Sequence, residues 1–327
     1  MASASANPPV PLGRRVKRFM SDYPVIPLIV LLVVLVVILQ LIRPGIVNER
    51  WIANTIKFAI PLALLAGCQT MAMLTGGIDM SVGTVATISA FVMATQVVSI
   101  DPASAILLSL VPAVIIGAVN GIGVGIFRVH PLVMTLGTGL VGFGVLQVYQ
   151  RTVIATGSDI PDFLAWLGTG LTYGVPNALL LFVPIAALII FTLKYTGFGR
   201  LLYAVGDNER AAKLSGVSYW KVIVTLYVAS AVLAGITGLL YVGLIKAPSL
   251  TLVEPLLLPS VAAAVIGGTS IFGGRGGYTG SIIGALILTV MTTMLTILQM
   301  PEGARRILFG LIVLFVTAAY IRIVEDR

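Results

Sequence analysis

The chain has 327 residues, of which 58% are apolar and only 10% charged, 20 basic and 12 acidic, with a mean hydropathy of +1.08. A soluble domain carries about 25% charged residues and about 45–50% apolar ones. That gap is too wide for a soluble enzyme; at ~20 residues per span the apolar content supplies about eight to eleven membrane crossings. One cysteine, Cys68, and one histidine, His130, exclude an intrachain disulfide and a zinc site built from Cys and His. The +8 net charge reads as loop charge that orients a membrane protein, not as a nucleic-acid surface.

Residues 1–23 read as a disordered cytoplasmic tail that ends in a basic anchor, Arg14, Arg15, Lys17 and Arg18. The apolar run 24–42 exceeds the ~7–15-residue core of a signal peptide, and no small-residue cleavage site follows it, so it reads as an uncleaved first span. Further runs between polar breaks predict spans at 56–74, 81–98, 103–127, 132–149, 176–193, 221–245, 256–272, 279–298 and 306–322. These make ten spans in one transmembrane domain, 24–322, followed by a short cytoplasmic tail, 323–327. With the N-terminus inside and spans alternating, 13 of the 20 basic residues fall on inner segments and 7 on outer ones, as the positive-inside rule requires. The expected fold is an all-α integral membrane bundle with both termini cytoplasmic.

Two loops are long. The outer one, 150–175, holds Asp159 to Trp166; Pro161 suits the first turn of a short helix, and Phe163 and Trp166 suit a membrane interface. In the inner one, 194–221, Asp207 or Asn208 can cap a helix of about two turns. Glu209 would sit at its positive end, Lys213 near its last turn and Gly216 just past it, and Ser218 can cap the next span.

The chemistry is defined first by absences. The chain has no G-x-x-x-x-G-K-[ST], no G-x-S-x-G, no H-E-x-x-H and no acid pair within a span, so neither an ATPase site nor an intramembrane enzyme site is visible. Asp79 is the one ionisable candidate within the membrane. It either caps a helix beginning near Ser81 or contacts a solute, and the two roles are compatible. Gln69, Thr70, Asn120, Thr135, Thr138 and Gln147 lie in apolar runs, where polar groups need partners. They can bond to neighbouring helices or line a path for a hydroxyl-rich solute; Gln69, Asp79, Ser81, Asn120 and Thr135 are the candidate pathway residues. Gly117, Gly121 and Gly125 share one helical face, and Gly280 with Gly284 and Ala231 with Gly235 repeat the spacing. Such small residues let helices pack closely within the bundle, or form a dimer seam.

Three segments resemble the membrane subunits of bacterial ABC importers for simple sugars, the ribose-permease family. They are Leu74-Thr-Gly-Gly-Ile-Asp-Met-Ser-Val-Gly83, the stretch from Gly199-Arg200 through Asn208 to Gly216, and Ala264-Val-Ile-Gly-Gly-Thr-Ser-Ile-Phe-Gly-Gly-Arg-Gly-Gly277. With the length and span count, the likeness covers about residues 20 to 322. It implies a permease working as a dimer in the bacterial inner membrane, with an ATP-hydrolysing subunit inside and a soluble sugar-binding protein outside. ATP and magnesium would belong to that partner, with no cofactor in this chain. It also makes the inner loop a coupling helix carrying Asn208, Glu209, Ala211, Ala212, Ser215 and Gly216. The expected function is import of a monosaccharide-like solute by alternating access. The alternatives are a branched-chain amino acid permease of the same kind and a self-contained facilitator or carrier.

Overall fold

A computed structural model describes residues 25–153 and 157–301, and beyond them residues 303, 304, 307, 308, 310, 311 and 314. The expected tails, 1–23 and 323–327, lie outside the described residues. Of the expected last span, residues 307, 308, 310, 311 and 314 are described, all helical.

The helices are α1 (Val25–Ile42), α2 (Glu49–Leu74), α3 (Val82–Gln96), α4 (Pro102–Gly125), α5 (Pro131–Val153), α6 (Asp162–Thr169) and α7 (Leu179–Tyr195). They continue with α8 (Gly197–Asp207), α9 (Glu209–Leu214), α10 (Tyr219–Ile245), α11 (Glu254–Ile266) and α12 (Tyr278–Ile297). Six of them, α1, α2, α4, α5, α10 and α12, are long and apolar enough to cross a membrane, and α7 with α8 passes as one pair bent by 65°. Helices α3 and α11 are apolar but shorter, with 15 and 13 residues. The chain is an all-α membrane protein with one addition, an antiparallel pair of short strands, β1 (Leu171–Thr172) and β2 (Val175–Pro176). Tyr173 and Gly174 join them with φ of 52° and 80°, as a tight primed turn requires.

Helices occupy each expected run up to residue 298, with three differences. Helix α2 begins at Glu49 because the Asn48 side chain accepts a hydrogen bond from the Trp51 N–H at 2.9 Å, drawing the polar stretch before the apolar run into the helix. Helix α11 stops at Ile266, where Gly268 turns the chain at φ +87°. The third is α8, an 11-residue helix inside what reads as loop; the Thr196 hydroxyl caps it by accepting from the Gly199 N–H at 3.3 Å.

Burial orders the bundle. The most apolar stretch of α2 is 83% buried, that of α1 only 6%, so α2 is central and α1 peripheral. Helix α10 lies against α4, where a Cβ on Gly121 would stand 2.6 Å from the Val224 Cα and one on Gly117 2.7 Å from the Tyr227 carbonyl oxygen. The Gly117–Gly121–Gly125 face therefore serves packing inside the chain. Gly280 and Gly284 do the same on α12, against Gly267 and Ala263 at the end of α11. Helix α6 turns Leu164 and Leu167 toward the bundle and leaves Phe163 and Trp166 exposed, their rings stacked 6.2 Å apart. Pro161 stands at the cap of α6, one place before the first turn.

Candidate functional site

All five candidate pathway residues meet at the break between α2 and α3. Gln69 reads the backbone of Asp79 from both sides: its Nε2 donates to the Asp79 carbonyl at 2.7 Å and its Oε1 accepts the Asp79 N–H at 3.2 Å. The Asp79 carboxylate accepts the Ser81 N–H at 2.9 Å and the Ser81 hydroxyl at 2.6 Å. Asn120 on α4 donates to the Ser81 hydroxyl at 2.9 Å, and Thr138 on α5 donates to Asn120 Oδ1 at 2.6 Å. Thr135 accepts the Met80 N–H at 3.0 Å and stands 3.2 Å from the Ile78 carbonyl. Gln69, Asp79, Ser81, Asn120 and Thr135 are all buried.

An unwound segment between two apolar helices leaves backbone groups without helical partners, and in a bilayer each such group costs several kcal/mol. The side chains of α2, α4 and α5 answer that need here. Helix α3 begins at Val82 with Ser81 at its cap, and the Ser81 hydroxyl makes no capping bond. Asp79 therefore satisfies, as a cap would, the N–H of Ser81, the residue just before the helix start. Of the other polar residues in apolar runs, Thr70 bonds to Ser281 of α12 at 2.7 Å, whereas Gln147 is exposed on α5 and outside the network. The Tyr227 hydroxyl, beside Gly77, is buried with no partner among the described residues.

The inner loop is built differently. Asn208 Oδ1 accepts the Ala211 N–H at 3.0 Å and so caps α9. Gly216, at φ +84°, ends it: its N–H reaches the Lys213 carbonyl at 2.9 Å and the Val217 N–H reaches that of Ala212 at 3.0 Å. Glu209 holds Arg128 and Lys213, both at 2.7 Å, and the Arg128 guanidinium lies 3.7 Å from the centre of the Tyr219 ring. Partial burial alone would raise the Glu209 pKa, but the hydrogen bonds and charges of Lys213 and Arg128 outweigh it and hold the carboxyl below its usual range. This ties α9 to the C-terminal end of α4 and the N-terminal end of α10. Ser218 stands at the cap of α10 without a side-chain capping bond.

The two alanines of α9 differ in exposure. Ala212 is buried within the chain, so only Ala211 of the alanine pair is open to a partner. Sequence reasoning missed Leu214, which is 90% exposed at the end of α9. An isolated leucine between Lys213 and Ser215 in an otherwise polar loop is the signal that could have found it.

The three segments that carry the resemblance also come together. The Gly274 N–H donates to the Leu74 carbonyl at 3.0 Å, and Tyr203 on α8 donates to the Gly276 carbonyl at 2.9 Å. Gly206 on α8 lies so close to the Leu74 carbonyl that a Cβ there would overlap it. Helix α8 thus clasps the inner end of α2 and the glycine-rich turn after α11. It stands between α9 and the break at residues 75–81.

Residues 51–317 match the family described as branched-chain amino acid transport system / permease component. The chain is similar to the ribose import permease protein RbsC of Bacillus subtilis (strain 168), 31% identical over 277 residues, which cover 84% of this chain and 86% of that one. It is similar to RbsC of Escherichia coli (strain K12), 31% over 274 residues, 83% and 85% of the two chains. It is similar to the fructose import permease protein FrcC of Rhizobium meliloti, 30% over 269 residues, 79% and 74%. No solved structure matches.

Proposed function

The chain is a multi-pass membrane protein that belongs to this permease family, and from that premise we propose that it is the membrane subunit of an ATP-driven importer for a monosaccharide. Similarity to ribose and fructose import permeases over most of the chain supports the substrate class. The observation that carries the mechanism is the inner loop: a short helix fixed at both ends, exposing Ala211, Leu214 and Ser215, and joined through α8 to the break beside α2. In this reading a cytoplasmic ATP-binding subunit takes α9 in a cleft, and its closure on ATP moves α9 and α8 against Leu74. The ten spans, with both termini cytoplasmic, then rock between outward- and inward-open forms. A binding protein delivers the sugar from outside, the chain lies in a bacterial inner membrane, and it has no ATPase site or cofactor of its own.

One such loop per chain presents one docking site, so two ATP-binding subunits require two permease chains, identical or closely related. The mass of the detergent-solubilised complex tests this; an active complex with one permease chain would overturn the pairing. The family's description favours branched-chain amino acids as the second substrate class. Uptake of labelled ribose, fructose and leucine into proteoliposomes holding the permease, the ATP-binding subunit and the binding protein decides between the two. ATP-independent uptake by this chain alone would establish a self-contained facilitator instead.

A further inference from the structure

The residues expected to line a path are closed in on one another, but an open cleft of about 300 Å³ lies beside them, between α3, α5 and the start of α11. That volume is at the small end of the range for small-molecule sites, ~300–1,000 Å³. Helix α3 contributes Thr84, α5 contributes Leu140 and Phe143, and the start of α11 contributes Glu254 and Leu257. A larger cavity of about 920 Å³ between α4 and α5 is walled mainly by Val, Ile and Leu, a surface suited to acyl chains and not to a hydroxylated solute.

Glu254 is unusual by its position. In sequence it opens a span from an outer loop. In the structure the Val253 N–H donates to the Thr87 hydroxyl at 3.2 Å, and Leu257 packs on Gly83. Thr87 is the sixth residue of the 15 in α3, a helix about 22 Å long at 1.5 Å per residue. The chain before α11 therefore dips to the middle levels of α3, and the Glu254 carboxylate sits there, exposed to the cleft and unpaired by any cation among the described residues. A charged side chain set at mid-length against an apolar helix, with no cation beside it, is a poor packing contact and a candidate contact for a polar solute. Thr84, partly exposed, also has no side-chain hydrogen bond among the described residues. By contrast the Thr87 hydroxyl is engaged with the Gly83 carbonyl and the Val253 N–H.

We propose that this cleft is the solute site of the permease, where Glu254 and Thr84 bond to the hydroxyls of a neutral polyhydroxylated solute and Phe143 packs against its C–H face. The proposal rests on the importer reading for its substrate class, but not for the existence of a water-filled site. A carboxylate accepts hydrogen bonds from two hydroxyls, one at each oxygen, and hydrogen bonds to a charged acceptor exceed neutral ones. An aromatic ring covers apolar C–H groups that hydroxyls cannot.

Two measurements test it. Thr84→Cys in the full chain reconstituted in vesicles is treated on both faces with a charged, membrane-impermeant maleimide. Cys68, the one native cysteine, is fully buried and gives little background. Labelling of Cys introduced at Thr84, above the wild-type chain, is expected. Absence of labelling would make the cleft a lipid-facing groove and end the proposal, whatever the protein transports. The second measurement is uptake of ribose and fructose by the reconstituted importer at matched membrane levels. Glu254→Leu is expected to lose about tenfold or more, Phe143→Ala several-fold, and Glu254→Gln, which keeps an acceptor, much less. Wild-type uptake with an unimpaired Glu254→Leu variant would overturn the site; equal loss in Gln and Leu variants would overturn the neutral-hydroxyl class. Absence of uptake by the wild type, with labelling intact, would count against the importer reading and leave the cleft standing.

Discussion

At residues 75–81 the side chains of three helices turn inward and close on one another. At residues 208–216 the same kinds of residue turn outward. Gln69, Ser81, Asn120 and Thr138 each bond to another member of the break, while around Asn208 and Glu209 the hydrogen bonds and ion pairs fix a short helix whose outer face stays open. The difference follows from the surroundings. Within a bilayer an unpaired polar group has no water to turn to, so a break in the helices must be satisfied by the protein. Outside the apolar helices water is available, and a loop can leave part of its surface open. Polar residues in the spans thus serve the fold first, and the loop keeps apolar as well as polar groups on its open surface.

The largest expected effect separates the two regions by activity. Ala211→Trp or Leu214→Asp on the open face of α9 is expected to lower stimulated ATP hydrolysis in the reconstituted importer by about 30-fold or more, the size of a central contact residue. The melting temperature of the purified permease should stay near wild type. Full ATPase stimulation in both variants would remove the coupling role from α9. Gly216→Val belongs with them: a β-branched residue in the left-handed region costs about 1–2 kcal/mol locally, and uptake should fall while membrane insertion survives.

Asn120→Leu is expected to reverse the pattern. Ser81 and Thr138 lose their shared partner; Ser81 keeps Asp79 and Thr138 keeps the Met134 and Thr135 carbonyls, so the loss is that of two hydrogen bonds at about 0.5–1.5 kcal/mol each. Thermal stability should drop, while the folded fraction still stimulates ATP hydrolysis on docking. A variant as stable as wild type would show that the network does not hold the break. Asp79→Asn against Asp79→Leu sharpens this further. Asparagine still offers an oxygen to the Ser81 N–H and hydroxyl, leucine none, so uptake at matched membrane levels should be higher for Asn. Equal inactivity would mean that the charge itself is required.

The smallest expected effect is electrostatic. Glu209 is held below its usual range by Lys213 and Arg128. Its contribution is therefore complete above the unfolded carboxylate pKa of about 4.3 and is lost as pH falls through the lower folded value. Exposed pairs contribute about 0–1 kcal/mol, so Glu209→Gln should lower the melting temperature slightly at pH 7, and the gap to wild type should close as acid protonates Glu209 in the folded state. A constant gap between the two as the pH falls would show that the ion pairs do not stabilise α9.

How far the residues alone could go depended on the range of the interaction. The caps of α9, Asn208 and Gly216, were legible because a capping bond spans three or four residues and its chemistry is local. Helix α8 was missed because its glycines at 197, 199 and 206 read as loop. Only the approach to Leu74 shows why residue 206 has no side chain. Asp79 was legible as a polar group needing a partner, but which groups it would find was not.

The sequence by itself determined the membrane class, the places of the apolar helices and the kinship with permeases. Charge density and run length report directly on the solvent a segment requires. Tertiary structure alone decided which polar residues meet, since Gln69 and Asp79 are 10 residues apart, Ser81 and Asn120 39, and Tyr203 and Gly276 73. It also decided that Ala212 faces in while Ala211 faces out, and that Glu254 lies at the level of Thr87. The reason lies in the lipid: helices such as α10 are apolar on nearly every side, so no periodicity marks the face that packs. Depth and neighbours are then set by how the backbones fit together at Gly117, Gly121 and Gly206.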